Sequence, residues 1–425
     1  MKTQRQPDLQ AIFRPNVLLA GKYATPTETQ RRPRTLLDAN ENSLGSCLVR
    51  GSIQSNGKHG THLTSGLDLA AILFSESLSL HRYPSAAAWE EVKQQIVLSR
   101  GLSKGHVRNM TLGTGGADLI DLLIRATCTP SKDALLVTPP TFPLYAVRAA
   151  LNDVEVLESK LRFVNNDFQL HVPEILDMLA EHSNVKLVFL ASPGNPTGSL
   201  IPLDKIRQIL DSQVLKGLLI VDEAYIDFAP NAASASALQL LERYPNLVIL
   251  QTLSKSHGLA GLRLGVAYAH EMITSMLTKV QMPFSISSPT AALAAMALSP
   301  AYDRANKNAL LTIMDNRDAL VAALREPELT PLGVGPPIGG NAANFVILPF
   351  WSSSKFIGWG VEVAVRERDS VKAKWVAEVL KTEYDTAVRY IGDAKGCEGC
   401  LRITIGTREE NEKLVHDMIS ILGRQ

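Results

Sequence analysis

Short apolar runs alternate with amphipathic stretches along the middle of the chain. Ala134-Leu135-Leu136-Val137, Val185-Lys186-Leu187-Val188-Phe189-Leu190, Leu218-Leu219-Ile220-Val221 and Leu247-Val248-Ile249-Leu250 read as strands buried on both faces, the pattern of a parallel sheet. Between them, Asp118 to Arg125 and Leu203 to Leu210 carry apolar residues at helical spacing. This βαβ succession predicts an α/β fold with a mostly parallel sheet flanked by helices. Near Ser285 to Pro300 the pattern becomes an alanine-rich helix, and the C-terminal third turns mixed, with Asn344 to Leu348 and Leu401 to Ile405 as strand candidates. The expected organisation is an N-terminal arm and irregular segment over residues 1–80, a large domain over 81–299 and a smaller α+β domain over 300–425. Gly45 to His81 carries Gly, Ser and Asn without clear period.

Composition narrows that picture. The 425 residues, 45% hydrophobic and 20% charged, can bury one large core and a smaller second one. Lys and Arg number 43 against 42 Asp and Glu, so no overall field draws the chain to nucleic acid or to an anionic membrane, and any anion must be bound locally. No apolar run approaches the ~20 residues of a membrane span, and Met1 to Arg14 lacks the apolar centre of a secretory signal; a cytoplasmic protein is expected. Cys397-Glu398-Gly399-Cys400 has metal or redox spacing. With no second pair and no histidine cluster beside it, two reduced thiols and no metal are expected.

Polar groups of a particular kind follow each predicted strand. They are Pro139-Pro140-Thr141-Phe142, then Ser192-Pro193-Gly194-Asn195-Pro196-Thr197-Gly198, then Asp222-Glu223-Ala224-Tyr225, and last Thr252-Leu253-Ser254-Lys255. Open α/β sheets place ligands beyond the carboxyl ends of their strands, so an aromatic, an amide, a carboxylate with a phenol, and an amine predict one site. Lys255 stands among hydroxyls and glycines with Arg263 eight positions on. Such a lysine forms an imine with a carbonyl cofactor or sets a point charge on a phosphate.

Ahead of these strand ends, Leu112-Gly113-Thr114-Gly115-Gly116-Ala117-Asp118 opens a helix, and backbone N–H groups at a glycine-rich helix start suit a phosphate. The loop lacks the Gly-Lys-Ser/Thr ending of a nucleotide triphosphate site, and a G-x-G-x-x-G fingerprint is absent. What fits is a small phosphorylated cofactor with a carbonyl for the amine and a pyridine nitrogen for the carboxylate: pyridoxal 5′-phosphate. With Arg263 and the helix start available to the phosphate, Lys255 is left for the aldehyde.

Asn195-Pro196-Thr197-Gly198, Asp222-Glu223-Ala224-Tyr225, Ser254-Lys255 with Arg263, and Leu401-Arg402-Ile403-Thr404-Ile405-Gly406 resemble the fold-type-I pyridoxal-phosphate aminotransferases. Within that group, Leu37-Asp38-Ala39-Asn40-Glu41-Asn42, His81-Arg82-Tyr83-Pro84, Gly116-Ala117-Asp118 and the run from Leu401 to Asn411 resemble the histidinol-phosphate aminotransferases. The likeness runs from about Arg14 to the C-terminus. It implies a homodimer with active sites at the subunit interface, acting in histidine biosynthesis. The implied reaction is transamination between L-histidinol phosphate and 2-oxoglutarate, giving imidazole acetol phosphate and glutamate.

Carried onto this chain, the resemblance implies that Lys255 condenses with the cofactor aldehyde and, once substrate displaces it, shuttles a proton as base and acid. Partial burial and nearby positive charge are expected to lower its pKa. Asp222 would pair with the pyridine nitrogen, and Asn195 and Tyr225 would hydrogen-bond the phenolic oxygen. Arg263 would clamp the phosphate with Ser254, Thr252 and the backbone at Gly116 and Ala117, its fork matching phosphate oxygens. Phe142 stands where the family usually has a tyrosine stacked on the ring, so the stacking remains and the phenol hydrogen bond is lost. Tyr83 would reach the phosphate in the other subunit. Arg402 and Arg389 would accept the anionic ends of both substrates, with Tyr23 and Asn344 completing the substrate set. Read alone, Asn195 is a turn residue before proline, Arg389 a surface residue and Tyr83 an interface aromatic.

The chain departs from the family where Leu119 replaces a common acid and where Gly45 to His81 is longer than expected. These departures leave room for another amine donor, so a related aromatic amino-acid aminotransferase or an amino-acid-phosphate decarboxylase stands as the alternative. A non-catalytic binding module on the same fold is a third reading, which Lys255, Asp222 and Arg263 together oppose.

Overall fold

The computed structural model describes residues 14–19, 33–50, 78–358 and 361–424. Its strands in chain order are β1 (Thr35–Leu37), β2 (Met110–Gly113), β3 (Ala134–Val137), β4 (Glu155–Glu158), β5 (Arg162–Val164), β6 (Asp167–Gln169), β7 (Val185–Ala191), β8 (Leu218–Asp222), β9 (Leu247–Thr252), β10 (Gly265–Ala269), β11 (Phe345–Pro349), β12 (Trp351–Gly358), β13 (Val361–Arg368), β14 (Thr386–Tyr390) and β15 (Cys400–Thr404). The large sheet has the order β2-β10-β9-β8-β7-β3-β4. Strands β4, β3, β7, β8 and β9 are parallel, while β10 is antiparallel to both β9 and β2. The reversal at β10 was not foreseen. Between β9 and β10 the chain holds a functional loop with no crossover helix, and without a crossover the chain returns antiparallel.

The four apolar runs form strands because both of their faces meet core. Leu136, Val188, Val221 and Ile249 enter one apolar cluster, and their neighbours Leu135, Leu187, Ile220 and Val248 enter the other. Each such residue contributes about 1.5–3 kcal/mol by burial, which fixes strand register against a one-residue slip. Helices Gly116–Thr127, Leu203–Asp211 and Ser288–Ala297 cover the stretches read as helical from their spacing.

A second sheet has the order β1-β14-β15-β11. Its core gathers Leu37, Phe345, Val376, Ile403, Leu414 and Ile421, drawing on helices Ser370–Thr382 and Arg408–Leu422. The latter helix starts with a capping box: Thr407 Oγ1 accepts from the Glu410 N–H at 3.3 Å, and Glu410 Oε2 accepts from the Thr407 N–H at 2.8 Å. Part of the segment read as an N-terminal arm lies here, since Thr35–Leu37 pairs in parallel with Thr386–Val388. The chain therefore passes from this sheet directly into Asp38–Asn42. Strands β12 and β13 form a separate antiparallel ribbon that no apolar run announced.

Candidate active site

Strands β3, β7, β8 and β9 are neighbours, so their carboxyl ends lie side by side. Asp222 closes β8. Its Oδ2 accepts from the Tyr145 hydroxyl at 2.6 Å and its Oδ1 from the Ala224 N–H at 3.1 Å. Burial pushes the carboxyl upward from its ordinary range, and these two donors pull against it. Tyr145, unforeseen as a site residue, lies fully buried on helix Leu144–Leu151. It stacks on Phe189 at 4.6 Å and meets half-buried Phe142 edge-on at 5.7 Å.

Lys255 follows β9, and its Nζ donates to the Ala39 carbonyl at 2.9 Å. Burial lowers its pKa to about 8, helped by the charges of Arg402 and Arg263 and opposed by Glu41. The amine lies 6.0 Å from the ring centroid of Tyr225. Asn42 Nδ2 donates to the carbonyls of Lys255 and Ser256 at 3.1 and 3.2 Å, holding the loop from one side. Tyr225 accepts at its hydroxyl from Asn40 Nδ2 at 3.0 Å. Thus residues 38–42, noticed only as a family motif, run through the site. Asn344, expected on the substrate side, donates instead to the carbonyls of Asn40 and Glu41 at 3.1 and 3.2 Å; its Oδ1 has no partner among the described residues.

Arg402 on β15 joins the small sheet to the large one. Its Nη1 donates to Asn195 Oδ1 at 2.7 Å and its Nη2 to the Asp38 carbonyl at 2.6 Å. That bond assigns Asn195 Oδ1 as acceptor and leaves its Nδ2 as the donor of the pair. Arg389 on β14 stands directly across from Arg402 in the antiparallel register. Directly opposed residues share a face, so both guanidinium groups emerge on the same side.

The phosphate-binding candidates also converge. Gly115 has φ 77° and ψ 170°, a conformation essentially reserved for glycine, and precedes helix Gly116–Thr127. A Cβ at Gly115 would lie 2.4 Å from Arg263 Nη2, so the guanidinium fits against bare backbone. At Gly116 a Cβ would meet nothing within 4 Å, which leaves the space at the helix start open. Asp118 accepts from the Thr114 N–H at 2.8 Å and thereby shapes the loop. Thr252 Oγ1 donates to the Leu264 carbonyl at 2.9 Å and stands 2.9 Å from Ser254 Oγ, which fixes the start of the Lys255 loop. Tyr83 is not drawn in: it is 77% exposed and stacks on Phe284 at 4.5 Å. Tyr23 lies outside the described residues.

Two buried networks back the site and left no sequence signal, because each joins polar residues distant in the chain. Glu223 accepts from Ser236 Oγ and the Ala237 N–H at 2.6 Å and from Gln251 Nε2 at 2.8 Å; burial raises its pKa to about 7 against these donors. Arg100 pairs bidentately with Asp227, one arm at 3.1 Å, while Ser256 Oγ and His257 Nδ1 lie 2.9 Å apart. All four cysteines are free and buried, and burial pushes the thiols of Cys397 and Cys400 upward. Among the described residues no helix is long and apolar enough to cross a membrane.

A mostly parallel sheet with an amine and a carboxylate at its strand ends, and a glycine-rich helix start set against an arginine, defines a class, and comparison with known proteins bears on the same class. The model of the class I and II aminotransferases matches residues 53–418. The histidinol-phosphate aminotransferase of Candida maltosa is 35% identical over 427 residues, covering 98% of either chain, and that of Schizosaccharomyces pombe is 34% identical over 423 residues with the same coverage. The crystal structure of histidinol-phosphate aminotransferase from Sinorhizobium meliloti in complex with pyridoxal 5′-phosphate shares the fold, with TM-score 0.73 and 20% identity over 97% of this chain and 98% of that one. The chain belongs to the class I and II aminotransferases and, within them, to the histidinol-phosphate aminotransferases. Pyridoxal-phosphate dependence is a general property of that family.

Proposed function

We propose that this chain binds pyridoxal 5′-phosphate at the ends of β7, β8 and β9 and transfers the amino group of L-histidinol phosphate to 2-oxoglutarate, as a step of histidine biosynthesis. The observation that carries the reading is Lys255, an amine with pKa lowered to about 8 that stands in one site with the half-buried carboxylate of Asp222. The donor set fits the cofactor: the Gly115–Arg263 cradle takes a phosphate, and Asp222 suits a protonated ring nitrogen. When bound, pyridoxal phosphate supplies an aldehyde that condenses with primary amines and a pyridinium ring that draws electrons from the substrate carbon.

The chain's own groups do the rest. Lys255 holds the cofactor until substrate arrives; its neutral amine then takes the proton from the amine-bearing carbon of the substrate. Asp222, kept anionic, would accept a hydrogen bond from the protonated ring nitrogen and so favour its protonation. Asn195 Nδ2 and the Tyr225 hydroxyl would hydrogen-bond the phenolic oxygen, and Phe142 would stack on the ring. Arg263, Ser254, Thr252 and the N–H groups of Gly116 and Ala117 hold the phosphate. Arg402 with Arg389 accepts phosphate from one substrate and carboxylate from the other, a task suited to a planar fork that binds both anions. Asn344 supports the site through residues 40 and 41.

The working unit in this reading is a homodimer. The exposed stacked pair Tyr83 and Phe284 presents an aromatic surface of the kind a second copy covers, and Tyr83 would then reach the partner's phosphate site. The division in this reading is a cofactor-binding part over 81–299 and a smaller part over 300–425, to which β1 at Thr35–Leu37 also contributes a strand.

The deciding experiment is a titration of the protein with pyridoxal phosphate followed by L-histidinol phosphate. A visible absorbance band should appear, be lost on borohydride reduction, which fixes the cofactor to the protein, and in an unreduced sample be lost on adding the substrate. No band would remove the cofactor reading. A band that responds to aromatic amino acids and not to histidinol phosphate would move the protein to the aromatic aminotransferases, and release of carbon dioxide from an amino-acid phosphate would make it a decarboxylase.

A further inference from the structure

Asp222 is half-buried, its carboxyl is pushed upward by desolvation, and it must nevertheless be an anion to do what is proposed for it, so something in the fold must keep it charged. Burial alone drives a carboxyl toward its neutral form, and an unpaired carboxylate in a core is strongly disfavoured. No arginine, lysine or histidine forms an ion pair with it among the described residues. Its hydrogen bonds are two: the Ala224 N–H to Oδ1 at 3.1 Å, and the Tyr145 hydroxyl to Oδ2 at 2.6 Å. The second is the short one, and a hydroxyl donating to a carboxylate falls at that length when the acceptor carries charge.

Tyr145 is itself held firmly. Its ring is fully buried, stacked on Phe189 with planes 17° apart, and edge-on to Phe142 at 90°. The helix Leu144–Leu151 fixes its backbone, and Phe189 belongs to β7, the strand beside β8. The phenol therefore reaches Asp222 from a rigid neighbour. Two residues of one turn, Phe142 and Tyr145, divide the work: the first offers a ring without a hydroxyl, and the second offers a hydroxyl turned to the carboxylate.

We infer that Tyr145 is a positioning residue that keeps Asp222 ionised and fixes which of its oxygens remains available to the ring nitrogen of the cofactor. The inference rests on the pyridoxal-phosphate reading above. With Oδ2 engaged by the phenol and Oδ1 by a single N–H, the carboxylate is restrained at both oxygens and still has lone pairs for a further donor. Removing the hydroxyl leaves the ring packing in place and lets Asp222 take up a proton at higher pH. A protonated Asp222 no longer favours a protonated pyridine nitrogen, so cofactor binding weakens first at acid pH.

The experiment compares wild-type protein with Tyr145→Phe, measuring the dissociation constant of pyridoxal phosphate from the visible band and from tyrosine and tryptophan fluorescence between pH 5.5 and 8.5. Tyr145→Phe should bind about 10- to 100-fold more weakly, the range of one hydrogen bond to a charged group, and its acid limb should move to higher pH. Against an Asp222→Asn background the same change should have little further effect, because the group it acts through is gone. If wild type forms no band, the cofactor reading fails. If wild type binds and Tyr145→Phe binds equally with the same pH profile, the role of Tyr145 fails. Should Tyr145→Phe not fold, Tyr145→His, which keeps a donor, and Tyr145→Met, which has none, make the same comparison; equal affinities and pH profiles in that pair overturn the inference.

Discussion

Lys255 donates from Nζ to the carbonyl of Ala39 at 2.9 Å across 216 positions of sequence. Ala39 follows β1 of the smaller sheet, and Lys255 follows β9 of the larger one, so the amine sits where the two sheets meet. A carbonyl accepts from either protonation state of an amine, whereas burial and Arg402 favour the neutral one. The site thus holds a lysine that is placed and gives up its proton more readily than an ordinary lysine.

That state sets a pH dependence. Below its pKa the amine is protonated and cannot attack an aldehyde; above it the amine is neutral. Cofactor uptake by cofactor-free protein should therefore speed up as pH rises, reach half its maximum near pH 8, and level off beyond. Stopped-flow absorbance measures the rate directly. A midpoint near that of an ordinary lysine, about 10.4, contradicts the lowered value. Lys255→Ala should show no borohydride-fixed adduct by mass spectrometry, with turnover reduced by about 10²–10⁴-fold.

Arg389 and Arg402 face each other across β14 and β15, yet their surroundings differ. Arg402 also anchors Asn195 and the Asp38 carbonyl, so its loss disturbs the cofactor side as well as the substrate side. Arg402→Ala should raise KM for both substrates by about 10- to 100-fold and lower kcat too, as expected when a hydrogen bond to charge is lost together with positioning. Arg389→Ala should raise KM with kcat nearly unchanged. Steady-state kinetics with both substrates separates the two, and equal kcat losses would count against the assigned difference.

Gly115 and Gly265 test the phosphate cradle in different ways. At Gly115 an added methyl meets the mobile tip of Arg263, but φ 77° and ψ 170° cost a non-glycine residue about 1–3 kcal/mol. At Gly265 the methyl would sit 2.5 Å from the backbone carbon of Gly115, where nothing can swing aside. Gly115→Ala should fold and bind cofactor at least about tenfold more weakly, in line with that strain. Gly265→Ala should lower the melting temperature more. Thermal melts with and without pyridoxal phosphate distinguish lost binding from lost fold.

The parts legible in sequence were those with a local cause. Leu187 to Leu190 and Leu218 to Val221 read as strands because neighbouring residues enter opposite cores, which forces an unbroken apolar run. Asn195, Asp222, Tyr225 and Lys255 were visible because each lies in the polar stretch that follows such a run. Tyr145 was not, and Asn40 stood only as a motif letter, since their meaning lies in partners 77 and 185 positions away that only the fold brings near. Asp118 and the Thr407–Glu410 pair were visible only as motif letters; in the structure they shape a loop and cap a helix. Strand β10 escaped because its direction follows from the absence of a crossover helix, which no apolar pattern records.

His257 provides a stability test independent of any cofactor. Its ring is buried beside Ser256, and burial first, then Arg100 and Arg50, lower its pKa to about 4, while Asp227 and Asp303 oppose them. In the unfolded chain the same imidazole titrates near 6.5. Between those values the unfolded state binds a proton that the folded state refuses, so stability falls as pH drops from about 6.5 toward 4 and then levels off for this group. The loss from pH 7 to 4.5 comes to about 2 kcal/mol. Asp227, which Arg100 holds below the usual carboxylate range against the opposing effect of burial, loses its stabilising charge only at still lower pH and does not mask the effect. Urea unfolding at the two pH values should show wild type losing that much more than His257→Gln, whose amide fills a similar space and does not titrate. Equal losses in the two proteins would mean that His257 is protonated in the folded state.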